Sequence, residues 1–201
     1  MTHVRLATDA DLDAAADTLA LAQVDYAWAE WAFPYPDRLD RLRRSFALDL
    51  QLGMAWHSVW VTDDVAAAAI WVPPADRRQP ADAALVADVQ AAQGALIDVE
   101  RMRVSHELTH PFQPLVPSWY LGTVGTRPDR RGEGLASALL QPILDECDRT
   151  RTLAWLETSS DDNVRLYERL GFVEVVRLHT PDEVGLPLIV MERQPVAATA
   201  V

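Results

Sequence analysis

The segment from Ser118 to Thr158 constrains the fold more than any other part of this chain. SWYLGTVGT (118–126) has the apolar pattern of a strand, RPDRRGEG (127–134) is a turn with two glycines, residues 133–149 carry a helical apolar stripe, and LAWLET (153–158) is a second strand. A helix joining two strands must fold back over the sheet to bury its stripe, which sets the strands parallel with a right-handed crossover. The chain is therefore α/β.

The remaining elements follow from local signals. Residues 4–7 predict a short strand, and Thr8 with Asp11 makes an acidic capping box before a helix whose stripe is Leu12, Ala16, Leu19, Gln23 and Tyr26. Pro36 opens a second helix with Leu39, Leu42, Phe46 and Leu50 at helical spacing, and Gly53 reads as its stop. Residues 56–62 and 65–72 form a hairpin through Asp63 and Asp64, closed off by Pro73 and Pro74, and one long helix is expected over 80–106. Beyond Thr158 come a helix over 161–170 and strands over 172–179 and 186–192, giving a mixed sheet that is parallel at the crossover and antiparallel at the final hairpin.

A length of 201 residues fits one domain, here 1–194, with 195–201 as a flexible tail. No apolar run approaches the roughly 20 residues that span a bilayer, and the single cysteine, Cys147, excludes an internal disulfide. The expected location is the cytoplasm. A net charge of -12 argues against nucleic acid and anionic membrane as partners and either favours a cationic ligand or serves solubility alone.

Strand, arginine-bearing turn, Gly-x-Gly and helix together present unpaired backbone N–H groups at the positive end of a helix dipole. Arg127, Arg130 and Arg131 surround that turn, which reads as an anion cradle or, alternatively, as a glycine turn with solvated arginines. Neither GxxxxGK[ST] nor GxGxxG is present, so nucleoside triphosphates and dinucleotides fit poorly.

The segment Arg131-Gly132-Glu133-Gly134-Leu135-Ala136 resembles the RxxGxA coenzyme A signature of the GNAT superfamily of N-acetyltransferases, with Ala136 in place of the second signature glycine. NVRLYERLGF (163–172) resembles the family's later helix and strand, and RLATDADLDAAADTLALA (5–22) its first strand and helix. Within the family, VGTRPDRRGEGLASALLQP, LETS and NxxxYERLGF are similar to puromycin-type N-acetyltransferases, which also have a proline at the place of Pro142 inside the crossover helix.

The resemblance implies a mixed, mostly antiparallel sheet with helices on both faces, splayed beside the strand 118–126 to admit acetyl-CoA. It implies cofactor contacts at Val124, Arg131, Gly132, Glu133, Gly134, Leu135, Ala136 and Asn163, with Tyr167 as the acid facing the sulfur. A backbone N–H within 119–124 would stabilise the oxyanion. Acyl transfer to an amine also needs a base, and Glu157, at the C-terminal end of a parallel strand, stands where such sheets carry ligands; capping the next helix is its alternative use.

Tyr26, Trp28, Trp31 and Tyr35 lie where the family covers the acceptor and are candidate substrate-binding residues, with Asp25 and Glu30 attracting an ammonium; helix packing or a homodimer contact is the competing use. The expected acceptor is a small-molecule amine, an amine antibiotic or related metabolite, acetylated directly in a ternary complex. A non-catalytic acyl-CoA sensor and a protein N-terminal acetyltransferase are the alternatives. His106-Glu107-Leu108-Thr109-His110 matches HExxH, but Pro111 follows at once and no third ligand is well placed, so no metal is expected. Cys147 falls on the apolar side of its helix and is expected to be buried.

Overall fold

The structure is a computed structural model that describes residues 3–79 and 82–196. Its strands are β1 (Val4–Leu6), β2 (Val59–Thr62), β3 (Ala67–Val72), β4 (Ser118–Thr126), β5 (Leu153–Thr158), β6 (Val173–His179) and β7 (Pro187–Arg193). They form one seven-stranded sheet in the order β1-β2-β3-β4-β5-β7-β6, antiparallel throughout except for the β4/β5 pair. The expected mixed, mostly antiparallel sheet is what the chain builds.

Helices α1 (Leu12–Gln23), α2 (Ala27–Ala32) and α3 (Arg38–Ala55) pack on one face, and α6 (Leu135–Thr150) with α7 (Asp161–Glu168) on the other. Between β3 and β4 run α4 (Asp82–Gln93) and α5 (Val99–Thr109). The crossover helix α6 shows why the sequence folds this way: Leu135, Leu139, Leu140, Ile143, Leu144 and Cys147 make one stripe, buried against Trp71, Trp119, Leu121 and Leu156. Each buried large aliphatic side chain contributes about 1.5–3 kcal/mol. Pro142 is half-buried, outside the buried stripe, and α6 continues through it. No helix among the described residues is long and apolar enough to cross a membrane.

Several local expectations are corrected. The long helix over 80–106 is two helices; Pro80 lies outside the described residues, and the chain turns after Gly94, where Arg41 donates to the Ala95 and Leu96 carbonyls. Asp98 then caps α5, its carboxylate accepting the Arg101 N–H at 3.1 Å while its own N–H bonds the Ala32 carbonyl. Gly53 does not stop α3, which runs to Ala55. A Cβ on Gly53 would lie 2.6 Å from Val59 Cγ2, so this glycine lets the helix approach β2. Trp56 caps that helix instead of opening a strand, and α1 ends at Gln23, leaving Tyr26 as the N-cap of α2. At the N-terminus Asp11 accepts both the N–H and the hydroxyl of Thr8 at 2.8 Å and is paired with Arg5, which holds its carboxyl well below the usual range.

Candidate active site

The site begins where the sheet opens. Strands β4 and β5 pair only from Ser118/Leu153 to Leu121/Leu156; beyond that point β4 stays with β3 and β5 with β7. A bulge causes the divergence. Trp71 opposes Leu121 but Ile70 opposes Thr123, so Gly122 is an extra residue on β4, and such an insertion bends its strand away from its neighbour. The bent strand rests against α1 because Gly125 has no side chain: a Cβ there would lie 2.8 Å from Ala22 Cβ.

The turn after β4 points at the same opening. Gly132 and Gly134 adopt φ of +85° and +77°, a conformation that costs other residues about 1–2 kcal/mol, and nothing lies within 4 Å of where their Cβ atoms would be. Ala138 makes the first hydrogen bond of α6, to Gly134, so the amides of Leu135, Ala136 and Ser137 lack intrahelical acceptors, and no acid occupies this first turn. An anion with several acceptor oxygens fits this cradle.

The arginines serve differently than their clustering implies. Arg127 pairs with Asp129, and Arg130 with Asp64 and Glu133, so both are neutralised locally and brace the turn. Only Arg131 reaches the cavity wall, where it also donates to the Ala22 carbonyl at 2.9 Å. Attraction for an anion therefore rests on backbone amides and the helix dipole, supplemented by Arg131.

A cavity of about 1150 Å³ runs from the opening between β4 and β5 to α3, α4 and α5. It brings together Val124, Arg131, Ala136, Asn163, Tyr167, Glu157, Tyr26 and Trp28 from the sequence-based candidates. Gly132, Glu133 and Gly134 form the exposed turn beside it, and the Leu135 side chain is buried under α6. Trp31 and Tyr35 do not line the cavity. Trp31 is 3% exposed and packs in the core, its Nε1 donating to Asp182 at 2.6 Å, and the Tyr35 ring lies under the Arg41 guanidinium. Glu30 pairs with Arg38, whereas Asp25 lies at the exposed rim of the cavity.

Two titratable side chains flank the opening. Tyr167 belongs to the α6 face, its ring 5.8 Å from Phe172 in an edge arrangement; burial, and then Tyr26, push its hydroxyl well above the usual value. Glu157 faces the other way. Its Oε1 is buried with no hydrogen-bond partner, and burial raises its carboxyl above the ordinary range against a weaker opposing pull from Thr109, Gln113 and His106. The Thr109 hydroxyl donates to the Ser105 carbonyl at 3.0 Å, so it does not satisfy that oxygen. The mouth is tied by Tyr26, whose hydroxyl accepts the Ser159 N–H at 2.6 Å and meets Thr158 Oγ1, itself bonded by Asn163.

Sequence reasoning missed Asp49, Gln93 and Tyr120 and weighed His106 only as a metal ligand; all four line the cavity. Asp49 had a signal, since it falls on the otherwise buried stripe of Leu42, Phe46, Leu50 and Gly53. Burial raises its carboxyl to about 6. Tyr120 stacks on Trp155 at 4.3 Å, and burial, followed by Glu157, Asp49 and Tyr167, raises its hydroxyl strongly. His106 and His110 are 5.1 Å apart, but among the described residues no third ligand joins them, and Glu107 pairs with Arg103. Cys147 is buried, its thiol pushed up to about 12 by burial.

The model of the acetyltransferase (GNAT) family matches residues 22–172. The chain belongs to this family. Acetyl-CoA is the cofactor of GNAT acetyltransferases, and the glycine cradle and the opening between β4 and β5 fit it. An uncharacterized N-acetyltransferase of Schizosaccharomyces pombe is 37% identical over 79 residues, covering 39% of this chain and 32% of that protein. The chain thus matches about a third of the length of this curated relative.

Among solved structures, a histone acetyltransferase HPA2 and related acetyltransferase from Corynebacterium glutamicum superposes with a TM-score of 0.70 at 26% identity, covering 100% of both chains. The GNAT fold also recurs in yncA, a putative acetyltransferase from Salmonella typhimurium solved with acetyl-CoA, at a TM-score of 0.57 and 18% identity over 100% of this chain and 98% of that one.

Proposed function

We propose that this protein acetylates an amine of a small molecule by direct transfer from acetyl-CoA, with both substrates held in one cavity. The observation that carries this reading is that Tyr167 and Glu157 stand in the wall of a single cavity of about 1150 Å³. Pockets for drug-sized ligands measure roughly 300–1,000 Å³, so the space suits a small acceptor beside the acyl end of a cofactor. Helices α4 and α5 wall its acceptor side, which favours a small molecule over a protein terminus.

Bound acetyl-CoA supplies the acetyl group as an activated thioester. The amides of Leu135 to Ser137, with Gly132, Glu133 and Gly134, would hold its pyrophosphate, and Val124, Arg131, Ala136 and Asn163 would contact the rest. Tyr167 keeps its proton at Oη throughout the neutral range and serves as general acid. Glu157 takes the proton of the incoming ammonium at Oε1, an oxygen that no protein group occupies. Backbone amides on Gly122 to Val124, which have left β5, are assigned to oxyanion stabilisation. Cys147 is no nucleophile, since its thiol is buried and held protonated.

Similarity of the cradle, LETS and NxxxYERLGF motifs to puromycin-type enzymes supports an amine antibiotic or related metabolite as the acceptor class. The test is thiol release from acetyl-CoA across puromycin, aminoglycosides, polyamines and peptide N-termini. Turnover with a small-amine class supports the reading. Turnover with peptides alone, or cofactor binding without turnover on any amine, refutes it.

A further inference from the structure

The acceptor side of the cavity holds a carboxylate that acetyl transfer does not require. Asp49 projects from α3 into the cavity wall beside Ser45 and Phe46. Its Oδ1 accepts from Gln93 Nε2 at 2.7 Å, and the same amide lies 3.4 Å from Ser45 Oγ. These neighbours orient the carboxylate without neutralising it. Of the two arginines that line the cavity, Arg103 is paired with Glu100 and Glu107, and Arg131 lies at the cradle, bonded to Ala22.

A half-buried carboxylate without a counter-charge opposes folding, whereas a neutral side chain of similar size there would not. Retaining the charge in the wall of a cavity is explained if a cation enters. The wall around it supports that occupant. Phe33, Phe46, Trp56 and Tyr120 line it and lower the local dielectric, which strengthens attraction between charges. Glu157 and Asp49 both line this cavity, as does Tyr120. They differ chemically: Glu157 has a free oxygen able to take a proton, and Asp49 is fixed by an amide donor as a fixed charge would be.

We infer that Asp49, oriented by Gln93, is a subsite for a second protonated amine, so that the acceptor is a diamine-type small molecule with one amine at Glu157 and the other at Asp49. This rests on the acetyl-transfer reading above. The experiment measures kcat/KM for α,ω-diaminoalkanes of increasing length against matched monoaminoalkanes, with calorimetric binding of the same amines in parallel, on the wild-type protein and on Asp49→Asn.

The expected result is a preference for diamines that peaks at one length and falls about 10- to 100-fold in Asp49→Asn, the range of a charge-assisted hydrogen bond. Acetyl-CoA binding and thermal unfolding report that the variant is folded, and the wild-type comparison needs no variant. Equal use of monoamines and diamines, or a preference that survives Asp49→Asn, overturns the inference. Absence of turnover with every amine refutes acetyl transfer instead; the binding data still decide the subsite, and diamine binding that does not depend on Asp49 overturns it.

Discussion

Replacing Tyr167 by Phe separates chemistry from packing. The ring lies in the core with 6% exposure, packed edge-on to Phe172, and phenylalanine keeps that ring in place. Burial and Tyr26, not a hydrogen bond, account for the raised pKa of the hydroxyl, so its removal strands no protein partner. Stability should change by less than about 0.5 kcal/mol, as for a substitution that neither opens a cavity nor orphans a polar group. Loss of a positioned proton donor costs about 10²- to 10⁴-fold in rate, equivalent to about 3–5 kcal/mol of barrier. Steady-state kinetics should therefore show kcat reduced by at least about 100-fold with the dissociation constant for acetyl-CoA nearly unchanged, while differential scanning fluorimetry shows the wild-type Tm. An unchanged kcat removes Tyr167 from the chemistry; a large fall in Tm shows instead that the hydroxyl is structural.

Gly134→Asp places a carboxylate at the anion cradle, at a backbone φ of +77°, and acetyl-CoA affinity, read by calorimetry, should fall at least about 10-fold because the carboxylate repels the pyrophosphate; retained affinity would mean the cradle is misassigned. Glu157→Gln should lower kcat/KM by about 100-fold or more and abolish the acidic limb of the pH–rate profile, a limb that burial places above the ordinary carboxylate range in the wild-type protein; a limb that persists assigns the base elsewhere. Asp49→Asn should stabilise the ligand-free protein. The Asp49 carboxyl rises from 3.8 to about 6 on folding, so its ionisation opposes folding: the penalty is small at pH 4 and below, develops between about pH 4 and pH 6, and stays at about 3 kcal/mol above that. The variant's Tm advantage should be several degrees at pH 8 and small at pH 4; an advantage independent of pH would refute a half-buried charge at this position.

The crossover was readable because each of its parts is local. The apolar stripe of α6, the glycines at positive φ and the β-patterned strands on either side are set by residues within a few positions of one another. The errors fell where a neighbour distant in sequence decided the outcome. Gly53 has the look of a helix stop, yet Val59 and Ile70 determine its role, and Trp31 has the look of a ligand-stacking residue, yet Asp182 and Arg101 draw it into the core. The break after Gly94 depends on Arg41 and Ala32, carbonyl and guanidinium partners that no window around the break contains.

Periodicity and motif spacing were thus enough to establish an α/β chain with a parallel crossover and to place the glycine turn and Glu157, since these depend on backbone propensity and on the order of elements, while Asn163 and Tyr167 were named by the resemblance to the family. The cavity itself was decided by packing. Asp49, Gln93, Tyr120 and Glu157 come from α3, α4, β4 and β5, and only the bulge at Gly122 and the close approaches at Gly53 and Gly125 bring those elements around one space. Steric complementarity between distant segments carries no periodic signature, and the electrostatic consequences, a free carboxylate oxygen at Glu157 and an uncompensated charge at the half-buried Asp49, exist only once these elements have packed around the cavity.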